Sequence, residues 1–366
     1  MKIVIRAGGT GTRLWPWSRS DRPKQFLPMF DGKSCVQTAY DRFTGSGLAA
    51  TDDMYVSIGE RNLELARQQL PELDEDHFIV EPAKRDTAAA IGLETVVAAE
   101  GDPDVTIASL GSDHYVEKPE EFVDALRAAD EFLDEHPDYL LAIACEPTRV
   151  ETGYGHIRKG NRLSEHRGTN VFEVAQFTEK PDFRTAERYT ESGEYLWNAN
   201  FFVWKSGTLM QQFDDLEPGM HTKFQRLLDA REEGNFGEVL QDVYPTIKKV
   251  AVDYAVLEPA ASEGRMAVLP VSMGWSDIGN WSSITDAFET DQNGNFLDGP
   301  VHDNDTTNCT VVVKNPDRKL VATIGVEGLA VVDTEDALLI VPKERSGEVK
   351  QLVQDLKEDE DHRDLT

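Results

Sequence analysis

The chain has 366 residues, with 67 acidic against 37 basic side chains and 40% hydrophobic residues, for a formal charge of −30. That length exceeds one ordinary hydrophobic core and predicts a large domain with a smaller one, while acidity spread along the whole chain excludes a nucleic-acid-binding surface. No uncharged apolar run reaches the roughly 18 residues of a membrane span, and the N-terminus enters a strand-like run within two residues, so no membrane association or secretory leader is expected and the protein is expected to be cytoplasmic.

The first element is a short apolar run, Ile3 to Ile5, feeding Ala7-Gly8-Gly9-Thr10-Gly11-Thr12-Arg13-Leu14. Closely spaced glycines let backbone N–H groups approach an anion with no Cβ in the way, and a helix start beyond them adds its positive dipole end. Arg13 can fork onto phosphate oxygens, and Lys24 brings a point charge on a flexible stem. The pair suits a triphosphate. Glycines alone predict no more than a tight turn, and two familiar phosphate motifs fail. There is no Gly-Lys-Ser/Thr ending, and Leu14 stands where a dinucleotide fingerprint needs glycine or alanine.

Beyond this turn, strand-like runs at Met54 to Ile58, Phe78 to Val80, Val105 to Leu110 and Tyr139 to Cys145 alternate with helical patterns at Arg61 to Leu70, Thr87 to Glu100 and Glu120 to His136. The alternation predicts an α/β domain with a mainly parallel sheet covered on both faces. Ligands of such sheets sit at the carboxyl ends of strands, where the Gly8 turn, Glu81-Pro82 and Gly111-Ser112-Asp113-His114 are expected to meet. Structural roles compete with function at each point: Asp86 suits a helix N-cap, Asp113 a turn, and Glu179-Lys180 a solvated pair. A strand over Val171 to Thr178 and a helix over Phe183 to Ser192 follow, then helical spacing from Leu209 to Val256, where Phe224, Leu227, Leu228 and Arg231 are expected to pack. In Gly274-Trp275-Ser276-Asp277-Ile278-Gly279-Asn280-Trp281, the last tryptophan reads as a packing anchor. From Asn293 the composition turns to Asn, Asp and Gly, with short strands at Thr310 to Val313, Leu320 to Ile324, Leu329 to Val332 and Ala337 to Val341, and a closing helix at Glu348 to Leu356.

Cys35, Cys145 and Cys309 are odd in number and far apart, which predicts buried small hydrophobes rather than a zinc site or disulfides. Even acidity with few lysines suits a cytoplasm of molar salt, where the Debye length shrinks to about 3 Å. Melting is therefore expected to be higher in multimolar KCl than in dilute buffer, and equal stability in both would contradict a halophilic origin.

Gly8-Gly9-Thr10-Gly11-Thr12-Arg13-Leu14 followed by Pro23-Lys24 resembles the signature of sugar-phosphate nucleotidyltransferases, and Trp15-Pro16 with Lys24-Gln25-Phe26-Leu27 is similar to their mannose-1-phosphate guanylyltransferase branch. The resemblance covers nearly the whole chain. It implies a Rossmann-like, glycosyltransferase A-like domain over residues 1–290 and a β-helix-like tail over 291–366 ending in a helix. It also implies transfer of a guanylyl group from GTP to mannose 1-phosphate, giving GDP-mannose and pyrophosphate, with Mg2+ as cofactor. Arg13 and Lys24 would then hold the pyrophosphate and Lys180 the reacting phosphates, with Gly8, Gly9, Thr10, Gly11 and Thr12 cradling the nucleotide. Glu81 and Arg85, in a Glu-Pro-x-x-Arg-Asp-Thr loop, would lie by the purine and ribose. Gly153, Tyr154, Gly155, Glu179 and Asn198 would contact the hexose, and Asp113 and Asp277 the metal. The tail holds no basic cluster and is expected to serve stability or association, with no isomerase cupin of two-function relatives expected after it; a homo-oligomer is compatible with it.

The sequence departs from the family pattern at Gly111-Ser112, where Pro-Ala is usual, and at Ala199-Asn200, where Ser-Gly is usual. Asparagine is the non-glycine residue that best tolerates positive φ, so the backbone is expected to survive the second change. The residues leave open another nucleoside triphosphate or hexose 1-phosphate, and a homologue that binds sugar nucleotides without turning them over.

Overall fold

Ile3, Val4 and Ile5 are β-branched and wholly buried, which suits a central strand packed on both faces. The strand they form, Lys2–Arg6, pairs in parallel with Met54–Gly59 on one side and Thr106–Gly111 on the other. The computed structural model describes residues 1–9, 11–30, 32–314 and 319–366. Among these, packing divides the chain into two units: the first is Met1–Gly8, Ala39–Ser112 and Lys118–Met273, and the second is Gly9–Thr38, Asp113–Glu117 and Gly274–Thr366.

The first unit is built on a nine-stranded sheet in the order Phe78–Glu81, Met54–Gly59, Lys2–Arg6, Thr106–Gly111, Tyr195–Lys205, Leu140–Cys145, Met266–Pro270, Thr169–Thr178, His156–His166. It is the expected mixed, largely parallel sheet, with Tyr195–Lys205 and Thr169–Thr178 running against their neighbours. Phe201 and Phe202 are neighbours on one strand and point to opposite faces. Phe201 packs 4.5 Å from Phe122 of the helix Pro119–Glu135, while Phe202 joins the core that includes Thr87–Ala98 and the helices between residues 206 and 243. Gly92 meets the ring of Phe224 closely enough that no Cβ would fit, and Phe224 and Leu227 are buried as the apolar spacing requires. Because the first four strands of the order are parallel, Gly8, Glu81 and Ser112 lie on the sheet's carboxyl edge.

The second unit is larger than a C-terminal tail, because the segments 9–38 and 113–117 belong to it. Its short strands Phe296–Asp298, Thr310–Val313 and Leu329–Asp333 stack in parallel, closed by antiparallel Leu338–Pro342, and a second ladder pairs Val301–Asn304 with Val321–Ile324. This is the expected β-helix-like stacking. Val312 faces a core shared with Leu14, Trp15, Trp17 and Trp281, whereas Val311 and Val313 face a smaller one with Cys309. Trp281 is fully buried, donates from its indole to the Trp15 carbonyl at 2.9 Å and stacks on Trp17, so it is the anchor its sequence suggests. Arg19 forks onto Asp336, and the Trp15 indole donates to the Leu365 carbonyl at 2.7 Å.

These contacts give a prediction for the tail. Deleting residues 295–366 strips one side from the core that holds Leu14 and Trp15, so we expect an insoluble or misfolded product, read by expression and circular dichroism. A soluble deletion variant with full activity would contradict this.

The three cysteines are buried and, among the described residues, none joins another in a disulfide. Burial pushes the Cys145 thiol up to about 12, which leaves it inert at neutral pH.

Candidate active site

The functional side chains fall in two groups, one in each unit. In the second unit the glycine-rich segment is shaped around Lys24. Gly11 has φ +58 and heads the 3-10 turn Thr12–Leu14; a Cβ there would lie 2.5 Å from the Lys24 Cβ. Any other residue would collide with the lysine stem as well as strain the backbone. Gly9 has φ +100, and its carbonyl accepts from the Gln25 amide at 3.2 Å. Thr10 lies outside the described residues. The Lys24 side chain is only 4% exposed, and its ammonium reaches the Asp113 carboxylate at 3.2 Å and the backbone carbonyl of Asp277. Lys24 therefore ties together the two aspartates expected to share a metal. Arg13 is exposed and makes no ion pair among the described residues.

Asp113 is held ionised. Burial pushes its carboxyl up, but the Lys24 charge, then His114, and the Lys24 hydrogen bond outweigh that and leave it below the ordinary aspartate value. His114 was given no role from sequence, and the structure supplies one. The Trp275 indole donates to its Nδ1 at 3.3 Å, which leaves Nε2 to carry the proton 3.7 Å from Asp113 Oδ1. Asp277 sits on the tight turn Ser276-Asp277-Ile278-Gly279, where its Oδ1 accepts from the Gly279 N–H at 2.9 Å. Ile278 is fully buried at φ +41, a conformation that a β-branched residue rarely adopts and that tends to persist where function over-determines it. The Asp113 carboxylate and the Asp277 backbone carbonyl meet at one buried ammonium, and the side chains of these two residues are hard oxygen donors of the kind a divalent ion of the magnesium type takes.

In the first unit, Gly155 is packed so closely that a Cβ would lie 2.6 Å from Glu179 Oε2 and 3.1 Å from the Asn198 Cβ. Any larger residue there would push the Glu179 carboxylate and Asn198 aside. Tyr154 packs edge-on to Trp197 at 5.3 Å, and Asn198 Nδ2 donates to Asp253 at 3.3 Å. The Lys180 ammonium donates to Glu179; the lysine is 61% exposed and its carboxylate partner only 9%, so the pair is half enclosed rather than solvated. The Gly153 N–H donates to Glu151 at 2.8 Å. Burial, then the Glu179 charge, raises Asp253 to about 6. Asp253 lies in Val252-Asp253-Tyr254-Ala255-Val256-Leu257-Glu258, a run similar to one in the family whose apolar members pack in the core.

Glu81, at the end of its strand, accepts from the Tyr244 hydroxyl at 2.6 Å, and Arg85 donates to the Pro245 carbonyl. Asp86 caps the following helix, accepting from the Thr87 N–H at 2.9 Å. Burial raises Glu81 to about 7 despite the tyrosine bond. Its folded pKa thus exceeds its unfolded one, so the stability it contributes is full below the unfolded pKa and is lost as pH rises through about 7. Glu81→Gln is expected to melt higher than the parent at pH 8 and not at pH 4.5, as read by thermal denaturation at both values.

A nucleotidyl transferase family profile matches residues 2–294, and a MannoseP isomerase/GMP-like beta-helix domain profile matches residues 303–356. Proteins named mannose-1-phosphate guanylyltransferase from Klebsiella pneumoniae and Escherichia coli are each 36% identical over 360 residues, 98% of this chain and 74% of theirs. The chain belongs to the mannose-1-phosphate guanylyltransferase branch of the nucleotidyl transferase family. A Thermus thermophilus crystal structure described as a mannose-1-phosphate geranyltransferase is 33% identical, with a TM-score of 0.85 over 97% of this chain and 99% of that one. A Helicobacter pylori structure described as a mannose-6-phosphate isomerase shares the fold over 75% of this chain and 100% of that one, at a TM-score of 0.59 and 20% identity. The nucleotidyltransferase assignment made from the glycine-rich segment therefore holds for the family. Within that family the departure at Asn200 is accommodated as expected, since Asn200 takes φ +58. Among the described residues, no helix is long and apolar enough to cross a membrane.

Proposed function

We propose that the chain transfers a guanylyl group from GTP to mannose 1-phosphate, releasing GDP-mannose and pyrophosphate. The observation that carries this reading is the Lys24 ammonium, buried and shared between the Asp113 carboxylate and the Asp277 carbonyl beside a glycine turn shaped around it. The names of the relatives support the choice of substrates.

In this reaction a phosphate oxygen of mannose 1-phosphate attacks the α-phosphorus of GTP. A new phosphorus–oxygen bond forms, the bond to the bridging α,β-oxygen breaks, and its electron pair leaves on pyrophosphate. The nucleophile is already anionic at neutral pH, so no general base is required. Acceleration comes from alignment and neutralisation of charge. Arg13 grips triphosphate oxygens in a planar fork, and Lys24 offsets the charge gathering on the departing pyrophosphate while holding Asp113 in place. Lys180, steered by Glu179, supplies a mobile cation to the reacting phosphates. Asn198, Glu179, Tyr154 and the Gly153 and Gly155 backbone present the polar edges that fix hexose hydroxyls, and Glu81 and Arg85 lie by the purine and ribose. Asp113 and Asp277 would hold a Mg2+ ion, which would supply positive charge against the negative charge of the phosphates.

The test is a grid of GTP, ATP, UTP and dTTP against mannose, glucose and galactose 1-phosphates, with Mg2+ and high KCl, read by nucleotide-sugar formation. GTP with mannose 1-phosphate is expected to give the highest kcat/KM. A different best pair would replace these substrates, and no product from any pair would overturn the reaction.

A further inference from the structure

Asn200 sits at an irregularity in the sheet. Leu140–Cys145 pairs with Tyr195–Lys205 through Ile143 opposite Phe201 and then Ala144 opposite Asn198, so Ala199 and Asn200 are extra residues bulged from the strand. Bulges of this kind re-aim side chains. The bulge turns back through the left-handed conformation of Asn200, and the Asn200 N–H donates at 3.0 Å to Oδ1 of Asn198. That bond fixes the Asn198 amide and leaves its Nδ2 aimed at Asp253.

The bulge is held from behind by Arg6. One guanidinium nitrogen of Arg6 donates to both the backbone carbonyl of Asn200, at 2.6 Å, and its side-chain oxygen, at 2.9 Å. The other donates to Ser109 Oγ at 2.5 Å, and Ser109 in turn donates to Glu94, whose side chain is wholly buried. Arg6 is itself buried and lies over the Phe202 ring at 5.6 Å. A buried guanidinium is costly unless its donors and charge are matched. Ser109 links Arg6 to the buried Glu94, and Asn200 supplies two acceptors that a glycine could supply only in part. The arginine and the asparagine are thus two halves of one arrangement.

We propose that Arg6 and Asn200 form a coupled positioning device that sets the hexose-binding geometry of Asn198, with Arg6 acting through Asn200 and not by touching substrate. The inference rests on the assignment of Asn198 to the hexose made above. A residue that orients one neutral hydrogen bond controls about a fivefold change in affinity.

Three variants test it. Asn200→Gly accepts the positive φ but loses the side-chain acceptor, Asn200→Asp keeps that acceptor, and Arg6→Lys keeps a cation opposite Glu94 but loses the fork. Calorimetric Kd for mannose 1-phosphate, the two KM values and the melting temperature are measured for each. Asn200→Gly and Arg6→Lys are expected to weaken mannose 1-phosphate about fivefold in Kd and KM, leaving the KM for GTP within about twofold, with Asn200→Asp near the parent. Unchanged hexose-phosphate affinity, or equal increases in both KM values, would overturn the proposal; if Arg6→Lys does not fold, Asn200→Gly decides alone. Binding needs no turnover, so a parent that binds the hexose phosphate without making nucleotide sugar refutes the reaction while the device is still tested. A parent with full turnover and indifferent variants refutes the device alone.

Discussion

Asp113→Asn and Asp277→Asn should each reduce turnover by about 100-fold or more, because each would remove a charged oxygen donor from the Mg2+ site proposed above. If both act through one ion, as proposed, the double variant is expected to be little worse than the worse single one. The structure separates the two in stability. Asp113 gives its carboxylate to Lys24, whereas Asp277 gives a backbone carbonyl that the asparagine variant retains. Asp113→Asn should therefore melt lower than the parent and Asp277→Asn near it. Steady-state kinetics over a Mg2+ titration and thermal melts check both statements. Near-normal Mg2+-dependent activity in either variant, or fully additive losses, would show that the acids share no catalytic metal.

Lys24→Met should damage the protein more than Arg13→Ala does. From the sequence, the arginine promises the larger loss, because a planar fork suits phosphate better than a flexible ammonium. The geometry reverses that order. Lys24 is 4% exposed and holds Asp113 and Asp277, while Arg13 stands in solvent. Removing one partner of a buried pair costs about 3 to 5 kcal/mol, and with Asp113 35% exposed water relieves part of that, so about 1 to 3 kcal/mol is expected.

The sign of the pH dependence follows from the lowered Asp113 pKa: its contribution is present above the unfolded aspartate value and is lost as pH falls through the folded one. Lys24→Met should flatten the acid side of the stability profile and lower kcat. Arg13→Ala should leave melting unchanged and raise the KM for GTP. Denaturant titrations from pH 3 to 8, paired with kinetics, decide between the two orders.

Much of the fold was legible because its signals are local. The run Thr310–Val313 and the helix Phe183–Ser192 carry their periodicity in their own residues, and both occur with the expected bounds. The N-cap at Asp86 and the anchor at Trp281 were readable for the same reason. What escaped depends on contacts distant in sequence. Segments 9–38 and 113–117 pack with the C-terminal strands through Leu14, Trp15, Trp17 and Tyr115, and nothing in their own pattern says so. The role of Arg6 was hidden because an arginine ending a buried strand has meaning only beside Asn200, 194 residues away. Asn200 was the exception, since tolerance of positive φ is a property of the residue itself.

The most direct test of guanylyl transfer follows the α-phosphorus. GTP labelled there is incubated with mannose 1-phosphate, Mg2+ and the enzyme in high KCl, and products are resolved with and without the sugar phosphate. Guanylyl transfer requires that label pass into GDP-mannose only when mannose 1-phosphate is present, with one unlabelled pyrophosphate released per product. Label left in GTP, or appearing in GDP with orthophosphate released, would contradict it.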